Sequence, residues 1–319
     1  DLATGRVLSA SSENIAYRLC QELDFDILLT GHQHMCIPGQ SLFGTFAVQA
    51  PDSGRAFISL KTVVADGHIV CNSQAIPAGG DCDPILLDRF GNLEQGAQTW
   101  LDTVVGRLDR PLLPAPPLIM AAEGNDIADF FNEVQMFCSG AQLAATSLAN
   151  EIAGFPQTVR RRDVLTAYPY TNTLMVLRVT GSVLRRAMER SAEYFAVDEE
   201  GRLCVADAFL KPKVEHYNYD YFSGVNYAFD ISRPEGQRVV ELTYQGEMVK
   251  DEDEFTICLN SYRASGAGGY PEYTQCRVVR EINIEMSDLI LDFFKNTPKV
   301  SLKTRRWFTV YTSHGTGAL

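Results

Sequence analysis

Hydrophobic positions along the chain change period several times, and each change marks an element. Ile15, Leu19 and Leu23 recur every fourth residue behind Ser11 and Ser12, either of which can cap a helix over Ser12–Leu23. The apolar run in Asp26–Thr30 predicts a short buried strand, and alternation broken by Gly, Pro and Asp predicts further strands through residues 42–70. Asn92–Leu108 has a helical pattern, after which Pro111, Pro114, Pro116 and Pro117 forbid regular structure. Ile127, Phe130, Phe131, Val134 and Phe137 then share one face of a helix over Asp126–Cys138. Ala141–Asn150 has helical propensity but is short. Leu174–Val179 reads as a strand, and Thr180 caps an amphipathic helix, Gly181–Phe195, whose Val183, Leu184, Ala187 and Met188 turn inward. Val225, Tyr227, Phe229 and Ile231 alternate strictly, as one face of a strand. Val239–Tyr244 and Glu247–Val249 flank a Gln245-Gly246 turn. Phe255–Asn260 is a buried strand, and Met286–Phe294 is a helix with Met286, Leu289, Ile290 and Phe293 on one side.

Strands and helices that mix without strict alternation predict an α+β fold. The 319 residues are enough for two domains. Residues 1–85 are strand-rich and too few for a whole domain, so they read as the tail of a larger one. Residues 86–118 read as a linker containing a helix, and residues 119–319 as a second domain. Composition narrows the functions. Apolar residues make up 45% of the chain, enough for a sizeable core. With 40 acidic against 28 basic side chains the net charge is −12, which disfavours general binding to a nucleic-acid polymer. No apolar run reaches the ~18 residues that a membrane helix needs. The chain opens on Asp1 and shows no signal-peptide pattern, as expected of a processed chain or one cut at an engineered boundary. The eight cysteines form no C-x-x-C pair, and free buried thiols are the expectation.

Five stretches could carry chemistry. Asn260–Tyr273, NSYRASGAGGYPEY, runs from a buried strand into Gly266, Gly268 and Gly269, with Tyr262 and Tyr270 beside them. Glycine accepts positive φ and lets other groups approach the backbone, so this bend suits a flat ligand, although a hairpin turn with packed tyrosines is the commoner source of the pattern. Tyr168-Pro169-Tyr170-Thr171-Asn172-Thr173 precedes a strand, and Pro169 holds Tyr168 extended. Tyr170 is then either a rigid contact at a strand mouth or a packed core ring. Gly31-His32-Gln33-His34 follows a strand, where two imidazoles can ligate divalent metals, although two surface histidines carry the same pattern. Arg160-Arg161-Arg162 could reach one phosphate but more simply forms a solvated face. Asp251-Glu252-Asp253-Glu254 is expected to be a solvated turn.

The order of these stretches resembles a known family. DFDILLTGHQH is similar to the closing histidine motif of calcineurin-like metallophosphoesterases. RRRDVLTAYPYTNTLMVLRVTG, YFSGVNYAFDISRP and NSYRASGAGGYPEY resemble, in that order, the C-terminal domain of the 5′-nucleotidase family. Gly224-Val225-Asn226-Tyr227 and Tyr262-Arg263-Ala264 resemble most its 2′,3′-cyclic-nucleotide 2′-phosphodiesterase/3′-nucleotidase branch. Strict 5′-nucleotidases carry a glycine-rich, arginine-bearing loop where this chain has Asn150-Glu151-Ile152-Ala153-Gly154. The resemblance also implies a strand within Ala141–Asn150, against its propensity.

From the resemblance follow several expectations. Tyr170 and Tyr262 sandwich the base of a nucleotide or nucleoside, with Asn172, Gly266 and Gly268 lining the pocket. His32 and His34 are the last two ligands of a site for two divalent metal ions, such as Mn, Zn or Co. The other ligands of that site have no counterpart in residues 1–31, so the chain is expected to be the C-terminal piece of a longer, exported hydrolase and to be inactive alone. The alternatives are a 5′-nucleotidase, another hydrolase of the superfamily, or a nucleoside-binding module without catalysis.

Overall fold

Aromatic side chains decide where the main core lies. Phe130 and Phe131 project from the helix Asp126–Ser139 and meet Phe155, Tyr168, Phe293 and Phe294 with ring centroids 5.3–6.1 Å apart. Phe293 and Phe294 belong to the helix Met286–Asn296, so these rings join the two helices. The Asn125 side chain caps the first helix by accepting from the Ile127 N–H at 2.8 Å, and Gly140, with φ 68°, ends it in the left-handed conformation.

The computed structural model describes residues 2, 4–6, 15–65, 67–211, 213–302, 308–312 and 315–316. Two compact units divide the chain, Asp1–Asn92 and Leu93–Leu319, and the division falls within the helix Pro84–Leu101. The mixed helices and sheets agree with the α+β expectation. In the first unit the strands Ile27–Thr30, Thr45–Gln49 and Ile37–Leu42 form one sheet in that order, and Ala56–Ala65 pairs with His68–Pro77 as a hairpin. Its helix covers Ala16–Glu22; the expected caps Ser11 and Ser12 lie outside the described residues.

The second unit is built on a five-stranded mixed sheet. Its order is Asp220–Ser223, Leu143–Ser147, Glu254–Asn260, Leu174–Thr180 and Arg277–Ile282. A second five-stranded sheet contains the Val239–Tyr244 and Glu247–Met248 hairpin, Asn226–Asp230, Phe308–Thr312 and Gly315–Thr316. The strand Val104–Leu108 lies between Lys299–Val300 and Thr158–Arg160 in a three-stranded sheet.

Two local expectations change. The helix placed at Asn92–Leu108 covers Pro84–Leu101 instead, and Val104–Leu108 is a strand. Leu108 and Leu112 are buried in the core of the second unit, so the later part of the expected linker 86–118 packs as part of that unit. Within Ala141–Asn150, Leu143–Ser147 is a strand, as the family resemblance implied and propensity did not. Helix propensity separates ordinary residues by at most ~0.7 kcal/mol. Burying Leu143 alone is worth about 1.5–3 kcal/mol, and the segment also pairs on both edges.

Candidate functional site

The register of two antiparallel strands brings the expected tyrosines to one end of the first five-stranded sheet. Leu174 pairs with Asn260. Tyr170 lies just before Leu174 and Tyr262 just after Asn260, so both leave the sheet at the same end. They are 38% and 41% exposed, neither core rings nor free surface rings. Burial first, and then the neighbouring Tyr262 phenol, pushes the Tyr170 hydroxyl up from its ordinary range.

The Tyr170 loop is fixed from several sides. Its ring stands edge-on to Tyr168 at 6.2 Å, and Tyr168 in turn stands edge-on to Phe131 at 5.3 Å. Burial pushes Tyr168 up to about 12, while hydrogen bonds from the Asn172 and Asn260 side chains oppose the rise. The Ser261 N–H donates to the Thr173 carbonyl at 2.8 Å, and the Met286 N–H donates to the Asn172 carbonyl at 2.9 Å. These bonds tie the loop to the starts of two helices, Ser261–Ala264 and Met286–Asn296.

Beneath Tyr262 lies a buried ion pair. Arg263 and Asp220 side chains are each 2% exposed. Arg263 Nε donates to both Asp220 oxygens at 3.1 and 2.9 Å, and Nη2 donates to Oδ1 at 2.8 Å. The remaining donors go to carbonyls, Nη1 to Ala267 at 2.6 Å and Nη2 to Tyr217 at 3.0 Å. The guanidinium also lies 4.1 Å from the Tyr270 ring centroid. Burial pushes the Asp220 carboxyl up, and the Arg263 charge opposes that rise. Removing either partner would strand a charge in the core, so the pair fixes one arrangement of the Tyr217 and Tyr262 backbones.

Gly266 and Gly268 serve this packing. Both have positive φ, 84° and 74°. A Cβ on Gly268 would stand 2.0 Å from Arg263 Nη1 and 2.3 Å from Asn218 Oδ1. A Cβ on Gly266 would stand 2.6 Å from Thr274 Cγ2. The glycine-rich bend thus closes over the buried arginine, and Tyr270, fully buried and stacked on Tyr273 at 6.0 Å, is a packing residue.

Sequence reasoning missed Tyr217 and the Asp220 partnership. Burial, then the Glu215 carboxylate, then the phenols of Tyr262 and Tyr170, push the Tyr217 hydroxyl well up. The Tyr217 carbonyl accepts from Arg263, the residue after Tyr262, at 3.0 Å. Asp220 did leave a trace in the sequence. A lone carboxylate between Tyr219 and Tyr221 inside an aromatic run requires a buried partner.

The remaining candidates lie elsewhere. His32 and His34 follow the strand Ile27–Thr30, are exposed, and have positive φ of 71° and 54°. Among the described residues no group of three or more His, Cys, Asp or Glu is placed to hold a metal ion. Two exposed imidazoles supply too few ligands for a two-metal site, so the residues present do not fit that cofactor by themselves. Arg162 pairs with Asp102 at 2.7 Å and Arg161 lies 4.8 Å over the Trp100 ring, as surface contacts. Asp251-Glu252 form a turn, whose Asp253 side chain accepts from the Lys250 N–H at 2.8 Å. All eight cysteines are free thiols; Cys20 and Cys258 are buried, whereas Cys36 and Cys82 are exposed.

The chain is similar to several known proteins. Residues 104–275 match the model of the 5′-nucleotidase C-terminal domain. A 2′,3′-cyclic-nucleotide 2′-phosphodiesterase/3′-nucleotidase of Haemophilus influenzae is 31% identical over 180 residues, half of this chain and 26% of the relative. The trifunctional nucleotide phosphoesterase of Bacillus subtilis is 27% identical over 192 residues, 56% of this chain and 13% of the relative. Among solved structures, a Staphylococcus aureus protein described as a 5′-nucleotidase superposes with TM-score 0.85 at 31% identity, over 97% of this chain and 61% of that one. The chain thus spans less than two thirds of the length of these relatives. It belongs to the 5′-nucleotidase family, through the C-terminal domain that characterises that family.

Proposed function

We propose that this chain is the base-recognition part of a metal-dependent nucleotide hydrolase of the 2′,3′-cyclic-nucleotide 2′-phosphodiesterase/3′-nucleotidase type. The observation that carries the reading is the pair Tyr170 and Tyr262, each partly exposed at the same end of one sheet. A base stacked between them gains about 1–3 kcal/mol per aromatic contact, with little dependence on which base it is. The surrounding hydrogen bonds hold both rings before a ligand arrives, which lowers the entropy cost of binding. Gly266 and Gly268 shape the floor, and Asn172 lines the pocket.

Hydrolysis is assigned to the whole protein, with two divalent ions in a site to which His32 and His34 contribute. Export of the whole protein belongs to the same proposal; among the described residues no helix is long and apolar enough to cross a membrane. The chain alone should bind nucleosides without turning over nucleotides. Incubation of the purified chain with a 2′,3′-cyclic nucleotide and Mn²⁺ tests this. The expected result is binding with no product; turnover abolished by a chelator would overturn it.

A further inference from the structure

The three-stranded sheet of Lys299–Val300, Val104–Leu108 and Thr158–Arg160 has one face in the core and one face outward. Leu108 and Val300 are register partners, 2% and 3% exposed, and mark the inner face. Side chains alternate along a strand, so the preceding pair, Arg107 and Lys299, turns outward. Both are exposed, and they lie directly opposite one another on adjacent parallel strands. On its other side Arg107 is paired with Thr158, so no carboxylate faces it across the sheet. Arg107, Lys299, Asp109, Gln157 and Ser301 line a surface pocket of about 270 Å³.

Like charges set directly opposite one another on a sheet destabilise it. The chain has 40 acidic side chains against 28 basic ones. Yet among the described residues no hydrogen bond, ion pair or ring contact engages the Arg107 or Lys299 side chain. The carboxylate in the pocket, Asp109, is engaged elsewhere. Its Oδ2 accepts from the Ser301 hydroxyl at 2.8 Å, and its Oδ1 accepts from Arg110 Nη1 at 3.4 Å. The Ser301 hydrogen bond holds the Asp109 carboxyl below its ordinary range, with help from Arg110 and against burial. Gln157 Nε2 donates to the Asp109 carbonyl at 3.2 Å, which fixes that side of the pocket. Two cations are thus left facing one opening with their charge uncompensated.

We propose that Arg107 and Lys299 form a binding site for a phosphate group, with the Arg107 guanidinium taking two of its oxygens as a fork and the Lys299 ammonium a third. A bound phosphate turns one repulsive pair into two attractive ones. A lysine on a short edge strand can serve only to discourage strand addition, but that role gives no reason for a second cation beside it on the central strand. The pocket shares no residue with the Tyr170–Tyr262 pair, so it does not depend on the base-recognition reading. The same chemistry has two sources, free inorganic phosphate and the phosphate group of a nucleotide.

Thermal melting of the intact chain tests the pocket in wild type, Arg107→Gln, Lys299→Gln and the double variant. The buffer is free of phosphate and sulfate, and inorganic phosphate is added at matched ionic strength. Both side chains are exposed, so each variant should fold. Without phosphate the single variants should melt at or above wild type, because the repulsion is relieved. Phosphate should raise the melting temperature of wild type, by binding the folded state, and leave the double variant where it was. Calorimetric titration should show one site in wild type and an affinity about tenfold weaker in each single variant, the scale of a hydrogen bond to a charged group. Adenosine 5′-monophosphate in place of phosphate separates the sources. A rise with inorganic phosphate assigns the site to the free ion; a rise with the nucleotide alone, lost in the double variant, assigns it to a nucleotide phosphate. A rise that is equal in all four proteins with either ligand, or no rise in wild type with either, would overturn the site and leave the tyrosine pair untouched.

Discussion

In the unit Leu93–Leu319 a complete ion pair, Arg263–Asp220, is sealed beneath the tyrosine mouth, and every hydrogen-bonding nitrogen of that guanidinium has an acceptor. The unit Asp1–Asn92 is the opposite. Its buried hydrophobic residues, among those described, are Cys20, Ala47 and Val48. Phe57, Val63, Val64 and Val70 are exposed on its hairpin, and the two histidines expected to bind metal stand in an open bend. The comparison teaches where precision resides. The proposed recognition site sits on a desolvated ion pair with its hydrogen bonds made, whereas His32 and His34 stand exposed. Recognition and hydrolysis should therefore separate in experiments on this chain.

The strongest way to break the comparison is to break the ion pair. Asp220→Ala leaves the Arg263 charge buried and unpaired, and should cost about 3–5 kcal/mol in denaturant unfolding of the second unit. Gly268→Ala comes next. Its φ of 74° and the Cβ clash with Arg263 predict a loss of about 1–3 kcal/mol, with weakened nucleoside binding because the bend can no longer close. Melting curves paired with titration check both effects.

Much of the second unit was legible in the sequence because burial there follows simple periods. The helix at Asp126 and the strand at Leu174 begin where the pattern placed them, and Thr180 caps its helix by accepting from the Val183 N–H at 3.3 Å. Tyr170 and Tyr262 lie in stretches that the residue pattern picks out, and their placement at the same end of one sheet depends on a strand register that no local pattern encodes. Tyr217 was missed because its position depends on Arg263, distant in sequence, and because HYNYD has no periodicity. The Asn92–Leu108 helix was misplaced because Pro84–Leu101 buries none of its side chains, so no apolar face marked its limits. Ala141–Asn150 misled because sheet pairing on both edges outweighs a weak helical propensity.

A smaller, pH-dependent effect concerns His216. Burial lowers His216 below its ordinary 6.5, so the folded chain takes up the proton later than the unfolded chain does. The stability that neutral His216 contributes is present above pH 6.5 and is lost as pH falls through the lower folded value. His216→Asn should therefore show a shallower acid-side decline in melting temperature than wild type. The smallest effect is expected in the first unit. His32→Ala with His34→Ala should leave both nucleoside affinity and the unfolding of the second unit unchanged, measured by the same titration and melts.

The central claim is that recognition is complete in this chain without metal. Calorimetric titration of a nucleoside into the purified chain, in chelator, tests it directly against Tyr170→Ala, Tyr262→Ala and the double variant. The account predicts saturable binding by wild type, weakened by about 1–3 kcal/mol in each single variant and lost in the double variant. Absence of binding by wild type, or equal affinity in all four proteins, would contradict it.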